Sequence, residues 1–170
     1  YHDRADFTFK NMGIPELVMY YPEVRTFDID LPDRWLISPS ESFLELHYNF
    51  YEYELDKATA VARGNYSVYN RYLYHPGIDR PFMEVFIDNY FAGAFITETG
   101  EDKLYKVKLP FGLVEDRKFN ANNTHTVYLY YYRGSDIFCD YNGILAIKDT
   151  SRFSFAFQDA LPLENLAALV

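Results

Sequence analysis

FLELHYNFYEY, residues Phe43 to Tyr53, is the stretch of sequence that decides the fold. Its apolar and polar residues alternate, which is the period of a β-strand with one face in a core. One set consists of Leu44, Leu46, Tyr48 and Phe50, whereas the other set carries glutamate, histidine and asparagine. We therefore predict a strand whose first set lies inside the protein.

The same period of two recurs along the chain and predicts an all-β protein. Val24 to Leu31 alternates between two prolines, and Asp88-Asn89 joins two further alternating segments as a hairpin turn. Aromatic residues, which suit a half-buried pleated surface, make up 19% of the chain. About nine or ten strands with frequent turn signals predict an antiparallel β-sandwich. The other predicted strands are 82–88, 91–97, 103–109, 124–132, 144–147 and 153–157.

Two segments depart from this alternation. Residues 56–80 contain Gly64, Pro76 and Gly77, and we predict one long excursion between strands, a type of segment that is often functional. The apolar tail 161–170 has helical spacing and is expected to begin a linker or helix towards a following domain. The predicted organisation is one domain over residues 1–160, taken from a longer chain.

Charge and cysteine content exclude several classes of protein. The chain has 25 acidic and 16 basic residues and a formal net charge of −9, so nucleic acid and anionic membrane surfaces would be repelled. A neutral polymer would not be repelled. The lone Cys139 makes no intrachain disulfide, and no apolar run reaches the roughly 18 residues of a membrane span.

The sequence shows no combination of residues typical of a catalytic or metal site. His47 and His125 fall in predicted strands, and no histidine pair has metal-ligand spacing. The serines lack the elbow of a hydrolase nucleophile. Glu52 and Glu54 have the chemistry of a glycosidase pair, but a solvated strand edge explains them more simply. We expect a protein that is not an enzyme, with no cofactor and no catalytic metal; a structural Ca²⁺ stays an open alternative.

Five phrases occur in order along the chain and together resemble one known family. They are FTFKNMGIP (7–15), PDRWLISPSESFLELHY (32–48), MEVFIDNYFAG (83–93), NNTHTVYLY (122–130) and IKDTSRFSFAF (147–157). In order and spacing they are similar to the first carbohydrate-binding-like module of the BcsB family, the periplasmic regulatory subunits of cellulose synthase. The resemblance covers most of residues 5–165.

This resemblance implies a jelly-roll β-sandwich that works without catalysis. It implies a position outside the cytoplasmic membrane, in a parent protein tethered by a C-terminal anchor. The implied partners are a secreted β-glucan or related exopolysaccharide and, through the parent protein, the membrane glycosyltransferase (synthase) subunit that makes it. The alternative is a jelly-roll protein-interaction module of the same complex that does not itself bind sugar.

Aromatic side chains in predicted loops are the candidates for contact with sugar, because rings stack on the C–H faces of pyranoses. Trp35 lies near a loop mouth and either contacts the glycan or packs on the core. The tyrosines of the long excursion either form a platform or attach that loop to the sheet. Tyr90, at the hairpin tip, contacts either sugar or a neighbouring domain. The predicted carbohydrate-binding residues are Trp35, Tyr66, Tyr69, Tyr72, Tyr74 and Tyr90.

Overall fold

A computed structural model describes residues 3–20, 23–54, 81–109, 124–132 and 141–159. In these residues the only helical element is a 3-10 turn, Pro39–Glu41. The strands are β1 (Asp3–Thr8), β2 (Leu17–Met19), β3 (Glu23–Asp30), β4 (Trp35–Ile37), β5 (Phe43–Glu54), β6 (Phe82–Ile87), β7 (Tyr90–Ile96), β8 (Gly100–Lys108), β9 (Thr124–Tyr132), β10 (Tyr141–Ile147) and β11 (Arg152–Asp159).

The strands form two antiparallel sheets. Sheet A has the order β1-β11-β5-β10-β2, with β4 also paired to β11 and β8 also paired to β5. Sheet B has the order β3-β9-β6-β7. In sheet A, two successive strands together occupy one position in the sheet. β10 and β11, for example, lie end to end and pair with consecutive stretches of the same edge of β5. Each sheet therefore has four strand positions, and the connections between the two sheets are those of a jelly roll. The predicted all-β antiparallel sandwich is confirmed.

A buried serine bridges the break between β10 and β11. Lys148 donates its backbone N–H to the His47 carbonyl at 2.8 Å, and the Ser151 hydroxyl oxygen accepts the His47 N–H at 2.9 Å. Ser151 is fully buried, so its side chain replaces a backbone acceptor that the ladder lacks at this point. The phrase 147–157 therefore has a structural role in joining two strand segments.

The core lies between the two sheets and uses the predicted face of β5. Leu44, Leu46 and Phe50 have no exposed surface, and Tyr48 is 3% exposed. Two strands of sheet B contribute the opposite wall, with Met83, Val85 and Ile87 of β6 and Val127, Leu129 and Tyr131 of β9 all buried. The prediction for residues 43–53 is confirmed.

The β6–β7 hairpin also has the predicted turn. Asp88 adopts a left-handed backbone conformation with φ of 55°, which aspartate tolerates better than most residues. Its carboxylate accepts the Thr126 N–H at 2.9 Å and lies 2.8 Å from Nδ1 of the buried His125. The turn is thereby fastened to the start of β9.

The described residues form eleven strands, against about nine or ten predicted. The missed strands are β1, β2 and β4, and β2 and β4 have only three residues each. Three residues are too short to show a period. Two predicted segments, the excursion 56–80 and the tail 161–170, lie outside the described residues. In the part of the chain that is described, no helix is long and apolar enough to cross a membrane.

Leu46→Ala tests the core. The substitution removes a completely buried side chain from the centre of β5, so we expect the free energy of unfolding to fall by about 2–5 kcal/mol through lost burial and the cavity left behind. Urea melts of both proteins measure the difference. Equal midpoints would show that this face of β5 is not the core.

Asp88→Asn tests the hairpin fastening through its pH dependence. Burial opposes ionisation of Asp88, but hydrogen bonds from His125 and the Thr126 N–H outweigh it and lower the pKa of this carboxyl. A lowered folded-state pKa contributes stability above the unfolded pKa of about 4, and this contribution is lost as the pH falls through the folded value. We expect the parent to be more stable than the asparagine variant by about 1–2 kcal/mol at neutral pH.

The difference should begin to shrink below about pH 4, where the unfolded parent takes up a proton at this carboxyl, and it should be lost once the pH is below the lowered folded-state pKa. Urea melts of the two proteins at neutral and acidic pH measure it. A difference that stays constant over this range would mean that the Asp88 charge does not stabilise the turn.

Candidate functional site

The outer side of β9 carries a row of tyrosines. Since Val127, Leu129 and Tyr131 point into the core, the alternate residues Tyr128, Tyr130 and Tyr132 lie on the opposite face of the sheet. All three are half-buried. The neighbouring pairs have ring centroids 6.3 Å and 6.2 Å apart, with 14° between the ring planes in each pair. The three ring planes are therefore nearly parallel along the strand.

Rings from β6 and β7 extend this surface across sheet B. Phe82 stacks on Tyr132 with centroids 4.8 Å apart and 18° between the planes. Phe86 makes edge-to-face contacts, at 5.5 Å, with Tyr130 and with Phe91. We name this surface of sheet B the aromatic face and define it by Tyr128, Tyr130, Tyr132, Phe82, Phe86 and Phe91.

Apolar side chains of the same face are open to solvent. Phe91 is 57% exposed and Ile96 is 50% exposed on β7, while Val24 is 45% exposed on β3. Single exposed apolar residues are ordinary, but a contiguous exposed apolar surface marks a site of interaction. The aromatic face is therefore the strongest candidate site in the described residues.

Two aspartates of β3 lie beside the rings and form hydrogen bonds with threonines of β9. The Thr126 hydroxyl donates to Asp28 Oδ1 at 2.7 Å, and the Thr124 hydroxyl donates to Asp30 Oδ1 at 2.8 Å. Both aspartates are exposed, and each of these bonds uses one carboxylate oxygen. Carboxylates next to rings can accept hydrogen bonds from the hydroxyls of a ligand while the rings contact its apolar faces.

Glu84 adds a third carboxylate, on β6 between Phe82 and Phe86. It lies opposite Tyr130 in the β6–β9 ladder. Burial, together with the charge and hydrogen bond of Glu84, raises the pKa of Tyr132. The Tyr132 hydroxyl therefore stays protonated at neutral pH and remains a hydrogen-bond donor.

Trp35, the first predicted sugar contact, lies elsewhere. It is in β4 of sheet A, half-buried, and its ring stacks on Phe157 with centroids 3.8 Å apart and 13° between the planes. Phe7 packs nearby at 6.2 Å, and the three rings lie at the edge of the core. Trp35 is therefore not brought together with the tyrosines of β9.

The other predicted contacts divide into two groups. Tyr90 is the first residue of β7, pairs with the buried Ile87 and is half-buried, so it is less exposed than a hairpin tip suggested. Tyr66, Tyr69, Tyr72 and Tyr74 lie outside the described residues. Their contact with sugar stays a prediction.

The aromatic face itself was missed by sequence reasoning, although its signal was present. Residues 124–132 alternate a histidine and apolar residues with Thr126, Tyr128, Tyr130 and Tyr132. Because a strand with one face in the core must place its alternate residues outside, three tyrosines in the outer set indicate an exposed ring surface. The sugar contacts were instead predicted among aromatic residues in loops.

The polar cluster around His47 lies on the outer side of sheet A, away from the aromatic face. His47 Nε2 is 2.7 Å from Glu45 Oε1, and Nδ1 is 3.1 Å from the Thr150 hydroxyl. The hydrogen bond with His47 and the neighbouring Arg152 lower the pKa of Glu45 despite partial burial. Among the described residues, no group of three or more His, Cys, Asp or Glu side chains has the geometry of a metal site.

In comparisons with known proteins, no family model matches this chain, and no curated protein matches its sequence.

Proposed function

We propose that this chain is a non-catalytic carbohydrate-binding module that holds a β-glucan strand on its aromatic face. The observation that carries the proposal is the row Tyr128, Tyr130 and Tyr132, whose ring planes are nearly parallel along β9. A polysaccharide repeats the same apolar face at regular intervals, so a row of parallel rings suits a polymer better than a single small molecule.

The chemistry of the surrounding groups supports the same ligand. Sugar rings have C–H faces that gain from burial against Tyr and Phe, and hydroxyls that need hydrogen-bond partners when water is displaced. Asp28, Asp30 and Glu84 supply acceptors beside the rings. A neutral polymer also avoids the repulsion that a net charge of −9 imposes on an anionic one.

The cellular setting in this proposal comes from the resemblance to the BcsB family. In it, the module sits outside the cytoplasmic membrane in a parent protein anchored to that membrane, beside the glycosyltransferase subunit that extends the glucan. The module then guides the emerging strand. The jelly-roll architecture is the fold that this resemblance implies.

A protein-interaction module is the second candidate, and one observation favours it. Phe91 and Ile96 are both at least half exposed on β7, at one edge of sheet B. Neither has a polar group that a sugar could use. A protein partner could bury both and leave the tyrosine row uncovered.

Tyr130→Ala tests the glycan site. Tyr130 is the central ring of the row, so its loss should weaken binding by about tenfold, or about 1–2 kcal/mol, while the fold persists. Affinity electrophoresis of parent and variant across soluble β-glucans measures this. Tyr51→Ala is the matched control, because Tyr51 is a 44% exposed tyrosine on sheet A, and it should keep parental affinity.

If both tyrosine variants kept the parental affinity, the glycan would not bind on the aromatic face. An intact parent that binds none of the glucans would favour the protein-interaction module instead. Added salt should change neutral-glucan binding little, since no charge is neutralised in the complex.

The absence of catalysis is tested by incubating the protein at high concentration with several β-glucans and measuring reducing ends. We expect no release above the buffer control, because the sequence shows no paired nucleophile and base. Release that disappears in Glu52→Gln would show a glycosidase and contradict the proposal.

A further inference from the structure

The outward positions of sheet B have a one-sided charge. Asp28 and Asp30 of β3 and Glu84 of β6 lie on this face. No lysine or arginine occupies an outward position of β3, β6, β7 or β9. Among the described residues, the aromatic face therefore combines rings with negative charge only.

The outer side of sheet A has the opposite tendency. Lys106 Nζ lies 3.7 Å from the centre of the Phe43 ring, and the Arg152 guanidinium lies 5.3 Å from it. Arg152 also pairs with Glu45 at 3.3 Å and with Asp6 at 3.5 Å. Glu45 and Asp6 on this side are thus paired with a base, whereas the carboxylates of the aromatic face are not paired with one in the described residues.

On the aromatic face the carboxylates have neutral partners. Asp28 and Asp30 accept from threonine hydroxyls, and Glu84 interacts with the Tyr132 hydroxyl. Within the described ranges no Lys or Arg forms an ion pair with any of the three. Their charge is therefore available to a ligand.

We infer that the aromatic face prefers a β-linked glycan whose sugars carry ammonium groups over an uncharged glycan of the same backbone. This inference rests on the proposed function, since it names the ligand class of the same site. An ammonium group is attracted to the faces of tyrosine rings and to carboxylates beside them, and both kinds of group occur here within one sheet face. A neutral sugar uses the rings alone and meets the carboxylates only through its hydroxyls.

Three hexasaccharides with one backbone separate the contributions: β-1,4-linked glucose, β-1,4-linked glucosamine and its N-acetylated form. Calorimetry at about pH 5.5 keeps the amines of the glucosamine oligomer protonated. We expect the glucosamine oligomer to bind about tenfold more tightly than either neutral oligomer in about 20 mM salt. The advantage should largely disappear in about 0.5 M salt.

Two charge-matched variants distinguish a local effect from the attraction of any cation to an acidic protein. The face variant is Asp28→Asn, Asp30→Asn, Glu84→Gln. The control is Asp3→Asn, Glu16→Gln, Asp33→Asn, which removes the same charge at exposed positions away from sheet B. Glu84→Gln alone serves if the face variant melts below the parent.

The inference requires the face variant to lose the preference for glucosamine and the control to keep it. Equal affinity of the parent for all three oligomers would overturn the inference and leave the proposed glucan function intact. A preference that survives in the face variant would also overturn it, because the attraction would then come from net charge. If the glucosamine oligomer were the only one of the three to bind, the result would support the inference and contradict the glucan proposal. If none of the three oligomers bound, the result would contradict both.

Discussion

Strand pairing places alternate residues on opposite faces of a sheet, and the rest of this structure depends on that constraint. Once Val127, Leu129 and Tyr131 fill the core, the outer positions of β9 have no freedom to turn inward. A one-residue shift in register would move Tyr128 and Tyr130 inside and the aliphatic side chains outside. The aromatic face is therefore a direct consequence of how the core is filled.

The long pairing of β5 on both of its edges shows how the sandwich tolerates interruptions. One edge meets β8, and the other meets β10 and then β11. At the break, Ser151 supplies from its side chain the acceptor that the ladder needs opposite His47. A ladder with an unpaired buried N–H would lose about 1–3 kcal/mol at this point. The serine thus lets the chain leave the sheet for four residues without weakening its centre.

The local sequence pattern was sufficient to predict the β-sandwich. Features that depend on pairing between distant strands could not be predicted from it. The long alternating segments, such as 43–53 and 124–132, gave the correct strands and the correct inner faces. β4 was missed because its three residues become a strand only by pairing with β11, more than a hundred residues later. That pairing also places Trp35 on Phe157. In the candidate site, the outward position of the tyrosines could be predicted from the alternation of residues 124–132. That they form one surface with Phe82 and Phe91 could not be predicted, because it depends on the order of the strands in sheet B.

The two outer faces use polar groups in different ways, and this difference bears on function. On sheet A, charged side chains such as Lys148 and Asp102 bind one another, although Leu104 of β8 is exposed there as well. On sheet B, Phe91 and Ile96 remain at least half exposed beside carboxylates with neutral partners. Exposed apolar surface forgoes roughly 25 cal/mol for each Å² that could be buried. A ligand that covers the rings recovers that free energy, whereas the folded chain alone cannot, because its core is already filled by the other side of the same strands.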